Sequence, residues 1–168
     1  MQVDDKNLRP IWLDTDLKVV KVIDQRRLPH EFVIADLKNV DEIIMAIKEM
    51  YVRGAPLIGV TAAYGVYLAV LNSPVKTIEN AYLKEECSRI KSARPTAVNL
   101  AWAVDKVLFE VLKVEKPKKK IETARIQAEM IAEAEVENCR KIGEYGVVLV
   151  DEIRDGVNKK FELSRQVL

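Results

Sequence analysis

The sequence predicts a mainly helical α+β fold, in which a small N-terminal antiparallel β-meander precedes a bundle of about five helices. Helix-breaking residues are scarce. The six Gly and six Pro make up 12 of the 168 residues, about 7%, whereas an average protein has roughly 12% of the two together. Hydrophobic residues make up 49% and charged residues 32% of the chain, which suits long helices with one buried and one solvated face. The first third instead alternates short β-branched and aromatic runs with turns.

Residues 1–37 are predicted to form the β-meander. β-branched or aromatic residues dominate three short runs, which are Ile11–Leu13, Leu17–Ile23 and Phe32–Ala35. The Asp-Thr-Asp sequence at 14–16 is typical of a tight turn, and Pro29 lies in a longer loop before the third run. Three strands with such short connections predict an antiparallel sheet.

Residues 38–146 are predicted to form the helical bundle, and the start of its first helix is well specified. Asn39 is a favourable N-cap, with Asp41 in the first turn and Glu42 three residues after the cap. Apolar residues then follow at helical spacing on one face: Val40, Ile43, Ile44, Ile47, Met50 and Tyr51. Arg53-Gly54 is expected to end this helix.

The second helix is expected to be central and buried. It opens at Pro56, and the sequence from Gly54 to Val75 contains no charged residue. Its apolar part, Leu57–Leu71, would span about 22 Å at 1.5 Å per residue, short of the ~30 Å hydrocarbon layer of a membrane. Small residues along it let other helices pack closely: Gly59, Ala62, Ala63, Gly65 and Ala69. These features indicate a core helix rather than a transmembrane one.

Three further helices complete the predicted bundle. Thr77 is the expected N-cap of the third, Pro95-Thr96 the expected start of the fourth, and Lys116–Lys120 a solvated connector to the fifth and longest. Apolar stripes predict the buried faces: Ile78, Tyr82, Cys87 and Ile90 in the third helix; Leu100, Ala101, Val104, Leu108, Val111 and Leu112 in the fourth; Ile121, Ala128, Ile131, Cys139, Ile142 and Tyr145 in the fifth.

The last segment, residues 147–168, is expected to begin a second α/β domain. Val147–Val150 is an unbroken run of β-branched and leucine residues, which suits a buried strand of a parallel sheet. The residues after it are polar and weakly patterned, so this strand would have no neighbour from its own domain. Because a lone strand leaves backbone N–H and C=O groups unpaired, we expect self-association through residues after Tyr145, as a two-fold homodimer.

Charge and cysteine content narrow the range of partners. The chain has 27 Lys+Arg against 26 Asp+Glu, and a net charge of +1 gives no basis for binding nucleic acid or a membrane. Met1–Asp16 has four Asp and no apolar run, so we expect no signal peptide and a cytoplasmic protein with reduced thiols. Cys87 and Cys139 lack metal-ligand spacing and fall in helical stripes, which predicts buried core thiols.

Two segments place an arginine directly before a predicted helix start: Arg53-Gly54-Ala55-Pro56 and Arg94-Pro95-Thr96. A helix start offers unpaired N–H groups and the positive end of the helix dipole, and the planar arginine fork matches phosphate. Gly54 would let the backbone approach a ligand closely. However, Arg, then Gly, then Pro is also how helices ordinarily end, and Pro95-Thr96 is an ordinary helix start. The residue pattern alone leaves both interpretations open.

The two segments extend into longer motifs. Residues 52–65, Val-Arg-Gly-Ala-Pro-Leu-Ile-Gly-Val-Thr-Ala-Ala-Tyr-Gly, and residues 93–100, Ala-Arg-Pro-Thr-Ala-Val-Asn-Leu, closely resemble two signatures of the S-methyl-5-thioribose-1-phosphate isomerases of methionine salvage. Asp24-Gln25, Leu28-Pro29-His30-Glu31 and residues 138–146 also resemble that family. The resemblance covers residues 8–156, which correspond to the family's N-terminal domain and the start of its Rossmann-like second domain. The regulatory subunits of the eukaryotic translation-initiation nucleotide-exchange factor and the archaeal ribose-1,5-bisphosphate isomerases share this architecture.

This resemblance implies a site for a sugar phosphate. In the family, the residues that match Arg53, Gly54, Ala55 and Arg94 contribute to that site. The implied reaction converts an aldose 1-phosphate to a ketose 1-phosphate by moving a proton or hydride between C1 and C2, with the phosphate held to fix the geometry. The resemblance implies neither a metal nor an organic cofactor.

The sequence departs from the family pattern after Asp155-Gly156. The family's catalytic cysteine follows such a pair in a Thr-His-Cys-Asn-type segment, and its catalytic aspartate lies far downstream, whereas residues 157–164 contain neither Cys nor His. We therefore expect a truncated family member that has no catalytic residue and is inactive alone. One alternative is a non-enzymatic regulatory or scaffold domain of the initiation-factor-like branch, which would bind a protein or a phosphorylated ligand. The other is a protein similar to the ribose-1,5-bisphosphate isomerases.

Overall fold

A computed structural model describes residues 2–3, 6–74 and 78–165, with side chains described for 8–74 and 78–156, and the α+β fold is confirmed. The described elements are β1 (Gln2–Val3), β2 (Lys6–Asn7), β3 (Ile11–Leu13), β4 (Val20–Ile23), β5 (Ile34–Leu37), α1 (Val40–Lys48), α2 (Ala55–Leu71), α3 (Asn80–Ser92), α4 (Val98–Leu112) and α5 (Pro117–Arg165). The chain divides into two compact units, Met1–Ala132 and Glu133–Leu168. The domain boundary predicted after residue 146 stays a prediction.

The strands β3, β4 and β5 form the predicted antiparallel meander, and β1 pairs with β2 in a separate antiparallel pair. The first turn of the meander is longer than predicted, because Leu17 takes a left-handed conformation (φ 58°) and its N–H donates to the Asp14 C=O (2.9 Å). As a result, β4 begins at Val20 rather than at Leu17. Alternate residues on one face of the sheet are buried: Ile11, Val20, Val22 and Leu37.

Asn39 caps α1 as predicted. Its side-chain oxygen accepts from the Glu42 N–H (2.9 Å), and the Glu42 carboxylate accepts in return from the Asn39 side-chain amide (3.0 Å) and the Lys38 N–H (2.6 Å). These reciprocal bonds satisfy donors that a helix start otherwise leaves unpaired.

The end of α1 differs from the prediction, because the helix ends well before Arg53-Gly54. The Tyr51 N–H donates to the Ala46 C=O (2.9 Å) and the Met50 N–H to the Ile47 C=O (3.4 Å), which is the bond pair of a Schellman motif. Met50 occupies the left-handed position of that motif (φ 58°), where glycine is usual, and its side chain is 50% exposed instead of buried. The stop signal of α1 is therefore complete before the Arg-Gly pair.

The helix α2 is the buried central helix that its composition predicted. Every residue from Ile58 to Val70 is buried, as expected for a helix that is apolar on all sides. The Thr61 hydroxyl donates to the Leu57 C=O (2.7 Å), so its burial leaves it hydrogen-bonded. Among the helices of the described residues, none has the length and hydropathy needed to cross a membrane.

The helices α3 and α4 start later than predicted. Glu79 is the N-cap of α3, and the predicted cap, Thr77, lies outside the described residues. Before α4, the Ala97 N–H donates to the Arg94 C=O (3.0 Å), and this turn delays the helix until Val98. The predicted stripes are buried in part: Cys87 and Ile90 are buried in α3, and Leu100, Val104 and Val111 in α4. The other predicted residues of these helices are half-buried, namely Tyr82, Ala101, Leu108 and Leu112. Three buried residues were not predicted, namely Leu83, Ala103 and Val107.

The predicted lysine connector is mostly the first turn of α5. Lys120 is buried rather than solvated, and its Nζ donates to the Ile78 C=O (3.0 Å) and the Asn80 Oδ1 (2.8 Å). These bonds satisfy an amine that would otherwise be costly to bury, and they tie the start of α5 to the start of α3.

Two predictions about the later part of α5 are wrong. Val147–Val150 continues the helix instead of forming a strand, because a helix pairs its own backbone groups without a neighbouring strand and so outweighs a modest β-propensity. Cys139, Ile142 and Tyr145 are exposed, although the stripe placed them inward. Helical spacing identifies an apolar face of α5, but it does not specify what covers that face.

The close packing of α2 generates the first testable prediction. A Cβ on Gly65 would lie 2.9 Å from Cγ2 of Ile43 and 3.1 Å from Cδ1 of Ile90, so Gly65→Val would force α1 and α3 away from α2. We expect the free energy of unfolding to fall by about 2 kcal/mol, as measured by urea denaturation. Gly143→Val is the matched control, since nothing lies within 4 Å of a Cβ there, and an equal loss in both variants would contradict the steric argument.

Candidate functional site

The structure places the four predicted site residues at the starts of α2 and α4. Gly54 is the N-cap of α2, Ala55 is the first residue of that helix, and Arg53 directly precedes the cap. Arg94 lies in the turn that leads into α4. All four residues are exposed.

The backbone conformation at position 54 requires a glycine. Its φ of 91° and ψ of 136° lie in a region that L-residues rarely adopt. Space is not the reason for a glycine here, because no neighbouring atom lies within 4 Å of the position that a Cβ would take. Since α1 has already ended at its Schellman motif, Arg53-Gly54 belongs to the start of α2 and not to the end of α1. The ordinary stop-signal interpretation of this pair is therefore wrong.

Neither helix start has a side-chain cap. Gly54 has no side chain to offer, and Ala97, the N-cap of α4, has only a methyl group. Four amides of the first turns have no hydrogen-bond acceptor in the described part of the chain: those of Ala55, Leu57, Val98 and Asn99. Both helix starts therefore present free N–H groups together with the positive end of a helix dipole.

The two helix starts are neighbours. A Cβ on Gly59, near the beginning of α2, would lie 3.1 Å from the backbone oxygen of Asn99, the second residue of α4. The absence of a side chain at Gly59 lets the two backbones come this close. Arg53 and Arg94 thus precede two helices that touch near their N-termini.

Arg53 and Arg94 differ from most arginines of the chain, because neither has a partner among the residues that the structure describes. Six arginines pair with carboxylates: Arg26, Arg27, Arg89, Arg125, Arg140 and Arg154. Among the side chains that the structure describes, no acceptor lies within hydrogen-bond or ion-pair distance of Arg53 or Arg94. Two unpaired guanidinium groups beside two uncapped helix starts give this end of the bundle the chemistry of an anion site.

The two cysteines have different environments. Cys87 is buried in α3 as predicted, and burial raises the pKa of its thiol to about 12. Cys139 is exposed on α5, so its prediction as a core thiol is wrong. Within the described residues, no group of three or more His, Cys, Asp or Glu could hold a metal ion.

An ion pair close to the site was not predicted from the sequence. Asp24 is only 4% exposed, and its two carboxylate oxygens accept from Nε (2.9 Å) and Nη2 (2.7 Å) of Arg26. Hydrogen bonding to Arg26 holds the pKa of the Asp24 carboxyl below its usual range. The guanidinium group of Arg26 also stacks on the ring of Tyr51. The sequence shows that Asp24 and Arg26 lie two residues apart in one loop, but it does not show that Tyr51 stacks on Arg26.

An exposed apolar stripe on α4 was also missed. Val98, Trp102 and Phe109 are 79%, 49% and 61% exposed, although they lie at helical spacing on one face. The amines of Lys106 and Lys113 lie 4.8 Å and 4.0 Å from the ring centroids of Trp102 and Phe109, which is cation–π geometry. The helix that carries half of the candidate site therefore also carries a solvent-exposed aromatic face.

The structure defines a class of domain: a mainly helical bundle with a small antiparallel sheet, in which two uncapped helix starts lie side by side. The particular family follows from the sequence profile of the Initiation factor 2 subunit family, which matches residues 51–157. The chain belongs to this family.

Relatives and solved structures agree with that assignment. The chain is 53% identical over 150 residues to the methylthioribose-1-phosphate isomerase of Desulfosudis oleivorans, and 50% identical over 163 residues to that of Desulfatibacillum aliphaticivorans. It also resembles the crystal structures of the translation initiation factor eIF-2B, subunit delta, from A. fulgidus (38% identity, TM-score 0.78) and of the 5-methylthioribose 1-phosphate isomerase from Pyrococcus horikoshii (33% identity, TM-score 0.70). The resemblance inferred from the two motifs is confirmed.

These matches cover most of the chain but less than half of each relative. They cover 89% and 95% of the chain for the two curated relatives, against 41% and 44% of those proteins. For the two crystal structures the figures are 85% and 77% of the chain, against 42% and 37% of the solved chains.

The cysteine environments predict selective thiol labelling. At pH 8 we expect a thiol reagent such as dithionitrobenzoate to modify Cys139 rapidly and Cys87 only after unfolding, because the buried thiol stays protonated and shielded. Counting the released chromophore before and after adding guanidinium chloride measures this. Rapid labelling that persists in Cys139→Ser would contradict the burial of Cys87.

The Asp24–Arg26 pair predicts an acid-dependent contribution to stability. Because the pKa of Asp24 is lower in the folded chain than its usual value of 3.8, this contribution is present above about pH 4 and is lost as the pH falls through the folded value. The stability advantage of the wild type over Asp24→Asn, measured by urea unfolding, should therefore stay constant between about pH 6 and pH 4 and shrink as the pH falls further. Asp36→Asn, at an exposed carboxylate paired with Lys21, is the control, and an equal pH trend there would argue against Asp24 as the source.

Proposed function

We propose that this chain is the phosphate-binding part of a methylthioribose-1-phosphate isomerase, which converts the aldose 1-phosphate of S-methyl-5-thioribose to the ketose 1-phosphate in methionine salvage. Arg53, Gly54, Ala55 and Arg94 would hold the phosphate. The observation that carries the proposal is the pair of unpartnered arginines at two touching, uncapped helix starts. The names of the curated relatives support the substrate. The two free thiols are consistent with a cytoplasmic protein.

The chemistry of the reaction explains why this chain would bind the phosphate of the substrate. Transfer of a proton or hydride between C1 and C2 requires the sugar to be held in one orientation, and the phosphate on C1 is the strongest handle for that purpose. Free backbone N–H groups and two guanidinium groups supply the binding. Since all four residues are exposed, water screens the charges, and we expect the affinity of the chain alone to be weak.

The proposal predicts phosphate binding at the helix starts. Titration with inorganic phosphate, followed by NMR, should shift the amide signals of Gly54 and Ala55 first. Arg53→Ala and Arg94→Ala should each weaken binding roughly tenfold, as expected for loss of a charge-assisted hydrogen bond. Arg140→Ala removes an exposed arginine that pairs with Glu137 and Glu144 and should leave binding unchanged. Equal effects of all three substitutions would contradict the site.

We also propose that the 168-residue polypeptide does not catalyse the isomerisation by itself. Its sequence holds no counterpart of the family's catalytic cysteine in residues 157–164. Incubating the purified chain with the aldose phosphate should therefore yield no ketose phosphate above background. Turnover that disappears in Cys87→Ala or Cys139→Ser would show that one of these thiols is the nucleophile.

Self-association through α5 is a second part of the proposal, now based on a helix instead of a strand. The second unit carries a stripe at helical spacing, all of it exposed: Ile142, Tyr145, Leu149 and Ile153. A two-fold pairing of this face with a second copy would cover it. Light scattering at about 100 μM, where weak interfaces are populated, should detect a dimer that Leu149→Glu abolishes. Val147→Glu, on the opposite side of the helix, should remain dimeric, and a monomeric wild type would refute the pairing.

A second candidate function is a non-enzymatic regulatory or scaffold domain. The similarity to the A. fulgidus initiation factor subunit favours it. The ligand preference separates the two candidates: a substrate-binding domain should bind 5-methylthioribose 1-phosphate more tightly than inorganic phosphate, whereas a scaffold domain should show no such preference.

A further inference from the structure

The loop between β4 and β5 contacts the segment that precedes the proposed phosphate site. The Asp24 N–H donates to the Val33 C=O (2.9 Å) and closes the base of this loop, and the Gln25 N–H donates to the Tyr51 C=O (2.9 Å). The guanidinium carbon of Arg26 lies 3.7 Å from the centroid of the Tyr51 ring. A strand connection in the sheet is thereby joined to the chain between α1 and α2.

Tyr51 is fixed in three directions. Its N–H donates to the Ala46 C=O at the end of α1, its C=O accepts from Gln25, and its ring is covered by Arg26. The next residue, Val52, has no exposed surface, and the chain then emerges at Arg53. Since a single buried residue separates Tyr51 from Arg53, the position of Tyr51 sets where the Arg53 side chain begins.

Arg26 uses both its edge and its face in this arrangement. The edge forms a two-pronged ion pair with the buried carboxylate of Asp24, and the face stacks on Tyr51. A lysine cannot replace it, because an ammonium group has neither a planar fork for the carboxylate nor a flat face for the ring. The Arg26 N–H also donates to Asp24 (3.1 Å), so its own backbone is held as well.

We propose that Arg26 is a positioning residue for the anion site. It holds Tyr51 against the β4–β5 loop, so that Arg53 and Gly54 reach the protein surface at a fixed point. This inference rests on the proposed phosphate-binding function. Arg26 does not bind the ligand; it lowers the conformational freedom that Arg53 would lose on binding.

The test is the affinity for inorganic phosphate, measured by the amide shifts of Gly54 and Ala55. Arg26→Lys should weaken binding about three- to tenfold, within the range for residues that modulate a site without contacting its ligand. Tyr51→Leu should cause a similar loss, and the double variant little more, because both substitutions break the same contact. Tyr51→Phe keeps the ring and should retain the wild-type affinity.

Two controls separate positioning from general loss of stability. Arg27→Lys alters an exposed neighbour whose ion pair with Glu31 is long (3.8 Å), and it should bind phosphate as the wild type does. Ile131→Val loosens the core elsewhere, and its folded molecules should also retain the affinity. Wild-type affinity in Arg26→Lys would overturn the positioning role and leave the proposed function intact, whereas absence of phosphate binding by the wild type would overturn the proposed function itself.

Discussion

The burial of α2 is the constraint on which the rest of the structure depends. A helix that is apolar on every side must be surrounded, and the shape of its surface decides how closely its neighbours approach. Gly65 meets α1 and α3, and Gly59 meets the start of α4. The second of these contacts brings the uncapped starts of α2 and α4 together, so the candidate site results from packing in the core as well as from surface residues.

Local interactions explain which elements were predictable. The capping of α1 by Asn39 and Glu42 involves residues within three positions of each other, and α2 lacks any charged residue, so neither depends on distant parts of the chain. The end of α1 was missed because Met50, and not a glycine, takes the left-handed position. The helical state of Val147–Val150 was missed because β-propensity matters only where a neighbouring strand exists.

The candidate site was predictable in its residues but not in its geometry. The Arg-Gly-Ala-Pro and Arg-Pro-Thr patterns point to helix starts, yet the same letters describe a helix end. Only the Schellman motif at Met50 and the φ of 91° at Gly54 assign the first pattern to the start of α2. The contact of Tyr51 with the loop that carries Arg26 joins residues far apart in sequence, and periodicity holds no information about such a contact.

The candidate site combines a rigid support with an exposed surface, and this combination determines what the bundle could contribute to the proposed reaction. Buried residues fix the approach to each arginine: Val52 lies before Arg53, and Ala93 lies before Arg94. The guanidinium groups themselves face water, where a charge–charge interaction is far weaker than in a low-dielectric interior. Preorganisation can therefore come from the bundle alone, because it depends on packing and backbone hydrogen bonds. The bundle alone cannot exclude water from the phosphate, because that requires a second surface over the helix starts. A phosphate held in this way would be oriented without being enclosed, so the isomerisation that we propose for the whole enzyme would require a further surface over the helix starts.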